Sequence, residues 1–237
     1  MSIPKTIHYC WFGDNPPNKK TTRLIENWKI ICPDFKIVRW NEGNCDVEEN
    51  EYVRGAYRCR KWAFVSDYFR LKALYEYGGI YLDTDVELLK PFGELLNLRG
   101  FIGFEDGLNI ATCVIGSEKG HEFIRQALKA YAGRRFCDEN GKPDLTTNVQ
   151  ILTALMKQNG LICSGAQQNV MGMEIFPKEY FSPKELETGR LMVTEKTYAI
   201  HWFDASWQTC SQRRHTKLAQ IIGKKNTERL KKLMGRK

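Results

Sequence analysis

Asp83 and Asp85 stand one residue apart, directly after Gly78-Gly79 and the short apolar run Ile80-Tyr81-Leu82. In an extended segment side chains alternate, so both carboxylates point one way and Thr84 the other. Converging carboxylates suit a hard divalent cation. Mg²⁺ or Mn²⁺ takes carboxylate, water and phosphate oxygens, and one or two carboxylates plus the phosphates of a substrate commonly complete its shell. Most isolated Asp-x-Asp matches are solvated surface turns. Here the preceding β-prone apolar run reads as a buried strand, and ligands of open α/β sheets gather at the carboxyl ends of strands.

The element leading into these aspartates is Trp62 to Tyr77, whose spacing predicts a helix with Phe64, Tyr68, Leu71 and Tyr75 on one stripe and Ser66, Asp67 and Arg70 off it. Asp67 and Arg70 are three residues apart and share a helix face. Two uses fit them: an exposed surface ion pair of small energetic consequence, or contact with a ligand, Arg70 meeting phosphate through its planar charged fork and Asp67 a sugar hydroxyl.

The pattern SDxxRxxxLxxxGGxYLDxD, Ser66 to Asp85, resembles the DxD region of glycosyltransferase family 32, with more distant similarity to clostridial glucosylating toxins. The opening IPKTIHYCWFG, Ile3 to Gly13, resembles the first strand of that family, and HWFDASW, His201 to Trp207, its closing element. The resemblance covers about the first half of the chain and that late segment. It implies a GT-A fold, an α/β nucleotide-binding sandwich, and a retaining transferase moving a hexose from a nucleotide-sugar donor, a UDP-hexose ahead of GDP-mannose, to a saccharide or glycolipid acceptor. Capsule, O-antigen or exopolysaccharide synthesis is the implied setting. Carried over by position, Asp85 binds Mn²⁺ or Mg²⁺ directly, with Asp83 and His201 as further ligands. Trp11, Asp67, Arg70, Tyr81, Asp83, Ser206 and Trp207 contact the donor, and Asp83, Asp85 and Arg70 carry catalysis. In a retaining mechanism the acceptor hydroxyl attacks from the face the diphosphate leaves, so no enzyme nucleophile is required. Glu105, Asp106, Asn109 and Asn148 are the polar candidates on the acceptor side, equally readable as loop residues, and none is assigned as a base.

The composition, 42% hydrophobic and 27% charged, is that of a globular domain, and no apolar run reaches membrane-span length. The N-terminus lacks the apolar core of a signal peptide, and the eight cysteines form no C-x-x-C pair, which together point to reduced thiols in a cytoplasmic protein. The net charge of +8 belongs to the end of the chain: residues 208–237 hold ten Lys or Arg against Glu228 alone. Apolar residues there fall at helical spacing, so the expectation is a transferase domain over 1–207 and a basic amphipathic helical tail over 208–237. Such a tail suits an anionic membrane surface, or equally packs on the domain as a solvated helix. It has no aromatic interleaving of the sort that stacks bases, so nucleic acid is not expected as a partner.

Strands are expected at Thr6–Phe12, Lys36–Trp40, Phe101–Phe104 and Ala111–Ile115. Helices are expected at Thr21–Ile31, His121–Tyr131 and Thr147–Gln158, with an exposed loop at Phe136–Pro143. Two other classes use the same residues: a nucleotide-sugar hydrolase, for which a second acidic cluster is missing, and a non-catalytic nucleotide-binding protein on the same fold.

Overall fold

The computed structural model describes residues 2–186 and 188–204. Ser206, Trp207 and the basic tail lie outside them. The chain runs β1 (Thr6–Cys10), α1 (Lys19–Ile31), β2 (Lys36–Trp40), α2 (Glu51–Arg58), α3 (Trp62–Tyr77), β3 (Gly79–Leu82), β4 (Val86–Leu88), β5 (Gly100–Phe104), β6 (Ile110–Ser117), α4 (Glu122–Lys129), α5 (Asn148–Gln158), β7 (Gln168–Val170), β8 (Met173–Phe176) and β9 (Ala199–His201). Seven strands form one mixed sheet in the order β2-β1-β3-β6-β5-β8-β7, and β4 pairs with β9 in a separate ribbon. β1 is parallel to both β2 and β3, and the chain crosses from β1 to β2 on one side and then returns past β1 to β3 on the other. That reversal opens a crevice beyond the carboxyl ends of β1 and β3, where a doubly wound sheet binds its ligand.

The central strands are covered on both faces, as their uninterrupted apolar sequences require. Cys10, Tyr81, Ile102, Ile115 and Ile175 meet α2–α5 on one side. Ile7, Ile80, Leu82, Phe101 and Val114 meet Trp28 of α1 and Phe92 on the other. The helices start where their caps dictate. Asn18 accepts a hydrogen bond from the Thr21 amide, Asn50 from those of Tyr52 and Val53, and Thr147 forms a capping box with Gln150.

The turn between α3 and β3 needs both its glycines. Gly78 and Gly79 have φ of +65° and +108°, and a Cβ on Gly79 would lie 2.6 Å from the Thr6 carbonyl oxygen. His8, buried in β1, fixes the turn through its Nε2 to the Gly78 carbonyl at 2.8 Å while Trp40 donates to its Nδ1. Burial lowers the His8 pKa, consistent with a neutral ring in this bridge.

Two expectations change. Trp62–Tyr77 is helical as expected, but Asp67 and Arg70 are not surface residues: they are 8% and 5% exposed, because α3 is clasped by the sheet on one side and by α2 and α4 on others. The Phe136–Pro143 loop is exposed only beyond its first residues. Phe136 is fully buried among Tyr52 and Phe64, which anchors the segment leading into α5. Phe136→Ala is expected to cost about 3–5 kcal/mol of stability, and Glu139→Ala at the exposed tip less than about 0.5 kcal/mol, in paired urea unfolding curves.

Candidate functional site

Asp83 and Asp85 leave the end of β3 in a turn rather than along an extended strand: the Val86 amide donates to the Asp83 carbonyl at 3.0 Å. The alternation argument therefore does not apply, and Thr84 faces the same cavity as its neighbours. The turn itself brings the two carboxylates together. The third member of the group comes from far along the chain. β9 runs antiparallel to β4 with His201 opposite Val86, and the Trp202 amide donates to the Asp85 carbonyl. Trp202 Nε1 also bonds Glu87, and the Asp204 amide donates to Asp85 Oδ2 at 2.8 Å. One ligand atom each from Asp83, Asp85 and His201 lies within 4.8 Å of the others. Two hard carboxylate oxygens and an imidazole suit Mn²⁺ or Mg²⁺, so the residues fit the cation that the aspartates suggest.

Arg70 lies directly behind this group. Its guanidinium is 3.0 Å from Asp67 and 3.2 Å from Asp83, donates to the Thr112 carbonyl at 2.8 Å and sits over the Tyr81 ring. Neighbouring carboxylates raise the Arg70 pKa against the opposing effect of burial, so the cation is permanent. Tyr81 donates its hydroxyl to Asp83 Oδ1 at 3.2 Å and is 1% exposed. Arg70 and Tyr81 thus hold Asp83 in place from below.

Burial pushes Asp67 up to about 6 in spite of Arg70 beside it, and raises Asp83 as well. Asp85 behaves oppositely: burial opposes ionisation, but the charge and hydrogen bond of His201 draw it down to about 2. Burial likewise opposes protonation of His201, yet Asp85 at 3.3 Å lifts the imidazole well above its usual value.

These groups line a cavity of about 320 Å³. Cys10 and Trp11 enter it from the end of β1, Ala63, Phe64, Asp67 and Arg70 from α3, Thr147 and Asn148 from the start of α5, and Glu105 from the end of β5. Trp11, fixed by its indole N–H to the Asn15 carbonyl, is half-buried. Asn148 donates to the Asp67 backbone carbonyl, and its Oδ1 is buried without a protein partner. Of the expected acceptor-side residues, Asp106 and Asn109 bond one another and the local amides, which makes them the frame of their own turn. Thr147, Asn18, Thr21 and Asp204 were not singled out in the sequence. Asn18 and Thr147 do carry a helix-cap signal, which places them at helix starts but not at the cavity.

Residues 18–101 match the family described as "Glycosyltransferase sugar-binding region containing DXD motif". Inositol phosphoceramide mannosyltransferase 3 of Schizosaccharomyces pombe is 29% identical over 54% of this chain and 37% of its own length. Lactosylceramide 4-alpha-galactosyltransferase of Mus musculus is 30% identical over 64% of this chain and 42% of its own. The chain thus spans about two fifths of the length of either relative. Among solved structures, the PaToxG glycosyltransferase superposes with a TM-score of 0.50 at 23% identity, over 66% of this chain and 70% of that one.

Removing Arg70 leaves buried carboxylates without their counter-charge, so Arg70→Leu is expected to lose about 3–5 kcal/mol in urea unfolding, part of which Asp67→Asn in the same chain recovers. A divalent cation that takes the His201 lone pair must displace its proton. Apparent Mn²⁺ affinity therefore rises with pH, by up to about tenfold per unit, while His201 is protonated. Calorimetric titrations at about pH 6 and about pH 8 check this, and His201→Gln is expected to flatten the dependence.

Proposed function

We propose that the chain, which matches the glycosyltransferase family with the DXD sugar-binding region over residues 18–101 and has a GT-A fold, is a retaining, metal-dependent hexosyltransferase using a UDP-hexose. The observation that carries the reading is the grouping of Asp83, Asp85 and His201 in the lining of a cavity large enough for part of a nucleotide-sugar. Asp85, Asp83 and His201 would hold Mn²⁺ or Mg²⁺. Bound there, the cation neutralises the diphosphate leaving group as its charge develops.

The chain's own residues account for the rest. Arg70 keeps a fixed positive charge behind Asp83, and because its fork is engaged by Asp67, Asp83 and Thr112 it acts through Asp83 as a positioning residue. The buried Asn148 Oδ1, which has no protein partner, would accept a sugar hydroxyl, and the Asp67 carboxyl, engaged by Arg70 and the Asn148 amide, would offer its remaining acceptor capacity to another. Trp11 offers a ring face at the rim for a base. Glu105, whose carboxyl burial shifts toward protonation, reaches the cavity from the end of β5 and fits contact with a hydroxyl of donor or acceptor. Ser206 and Trp207 stay proposed donor contacts on the strength of the motif.

A lipid-linked saccharide is the proposed acceptor, of the kind assembled into capsule, O-antigen or exopolysaccharide. The relatives' names support the lipid part, since both carry a ceramide glycolipid. No helix among the described residues is long and apolar enough to cross a membrane, and the basic segment 208–237 is the proposed contact with a membrane surface that carries such an acceptor. A GDP-mannose donor is the second reading, favoured by the mannosyltransferase name of one relative.

Calorimetry with UDP and with GDP, each with and without Mn²⁺, separates the two. The expected result is Mn²⁺-dependent UDP binding that falls at least tenfold in Asp85→Ala. Mn²⁺-dependent GDP binding instead would move the donor to GDP-mannose, and no nucleotide binding at millimolar concentration would sink the transferase reading.

A further inference from the structure

Cys59 and Cys137 are 78 residues apart in sequence, yet their sulfurs lie 3.6 Å from each other. Cys59 caps the C-terminus of α2 and is exposed, while Cys137 is half-buried at the base of the loop before α5. Their backbones are held close by packing. Gly55, one turn before Cys59, lies so near Phe136 that a Cβ on it would come within 3.0 Å of the Phe136 Cβ. The loop is itself braced: Cys137 bridges to Pro143, and the Asp138 carboxylate caps the Asn140 and Lys142 amides. Two thiols placed in contact by a rigid frame meet the main requirement for bridging, that their carbons need not travel.

We propose that Cys59 and Cys137 form a reversible disulfide by exchange with a small-molecule disulfide, glutathione disulfide being the class. The Cys59 thiolate attacks one sulfur of glutathione disulfide and releases one glutathione thiolate, leaving Cys59 as a mixed disulfide. Cys137, deprotonated, then attacks the Cys59 sulfur and expels the second glutathione. The two protein thiols lose two electrons and two protons, and one glutathione disulfide becomes two glutathiones.

The surroundings select this pair. Arg58, Arg60 and Lys61 flank Cys59 in the sequence, and Arg134 and Arg135 precede Cys137, a basic neighbourhood that attracts anionic glutathione. Cys59 is exposed and Cys137 is half-buried, so Cys59 is the first to meet a disulfide from solution. Cys10, Cys32 and Cys45 are buried with thiols pushed upward, Cys32 to about 11 and Cys45 to about 12, which leaves them inert.

The bridge would link two walls of the cavity. Ala63 and Phe64 follow Cys59 by a few residues, and Thr147 and Asn148 follow the braced loop. It would also close a loop containing Asp67, Arg70, Asp83 and Asp85, so a bridge that fits the native backbone raises thermal stability.

The test is incubation of the full chain with glutathione disulfide, followed by peptide mapping without reduction and by thermal melts. The expected result is a Cys59–Cys137 linked peptide as the main product, reversed by glutathione, with a Tm above that of the reduced protein. Cys137→Ser treated in the same way is expected to stop at glutathione on Cys59, and Cys59→Ser to remain unlinked at Cys137. Wild type that stops at the mixed disulfide, links either residue to another cysteine, remains unmodified, or forms the bridge without a rise in Tm would overturn the proposal.

Discussion

Five carboxyl groups, those of Asp67, Asp83, Asp85, Glu105 and Asp204, line the cavity at one end of this sheet, and the condition on which the site depends is that they be held near each other without unfolding the protein around them. Arg70 meets it. A guanidinium 5% exposed and shared between Asp67 and Asp83 costs a great deal to desolvate, and only close partners and good hydrogen bonds offset that. The Thr112 carbonyl and the Tyr81 ring supply the remaining contacts. Because Arg70 sits one helical turn from Asp67 on α3, and Asp83 ends the strand that α3 feeds through Gly78-Gly79, the helix, the turn and the strand have to keep their relative positions for the charges to match. The packing of α3 on the sheet and the electrostatics of the site are thereby one constraint.

The second half of the site is attached from outside the main sheet. α1 grips β4 with both side-chain and main-chain contacts: Trp28 donates to the Val86 carbonyl, and Asn27 bonds the backbone of Leu88 in both directions. β4 in turn receives β9, and with it His201. His201 can approach Asp85 only because this short ribbon has the right register, since a slip of one residue would turn its side chain to the opposite face. Lys20 of α1 pairs with Asp204, so the same helix that fixes β4 also ties down the residues just after β9.

Local signals made much of this legible. The β-α-β opening, α3, β6 and α5 follow from apolar periodicity, glycine turns and caps, and the DxD spacing located the aspartates. What the sequence pattern could not carry was geometry produced at a distance. Helical periodicity placed Asp67 and Arg70 off the apolar stripe, which is where a solvent-facing pair would be, but α3 is covered on several sides and its polar residues are buried because they satisfy one another. Alternation suggested a common direction for Asp83 and Asp85 for a reason that the turn does away with. Phe136 sits in a polar stretch, and only the fold shows it to be the anchor of that stretch. The group of Glu105, Thr147 and Asn148 depends on which loops the sheet order brings to one crevice, and no local pattern encodes strand order.

The protonation pattern of the cavity carries an argument about what it is built to receive. Asp67, Asp83, Asp85, Glu105 and Asp204 face it, against Arg70, His201 and the Lys20 that pairs with Asp204. Fully ionised, these groups leave an excess of two negative charges in a largely buried space. Among the described residues no further cation lines the cavity, although Lys184 lies within electrostatic reach of Asp85 and Asp204. Instead burial, together with the repulsion of a neighbouring carboxylate, raises Asp67, Asp83 and Glu105 toward protonation. A site meant only to be stable would be expected to use another Arg, or fewer carboxylates, because a buried uncompensated charge is costly. A divalent cation would match that excess in sign and size, which makes the group of Asp83, Asp85 and His201 a fitting place for one. Arg70 supports that arrangement without having to release either of its carboxylates.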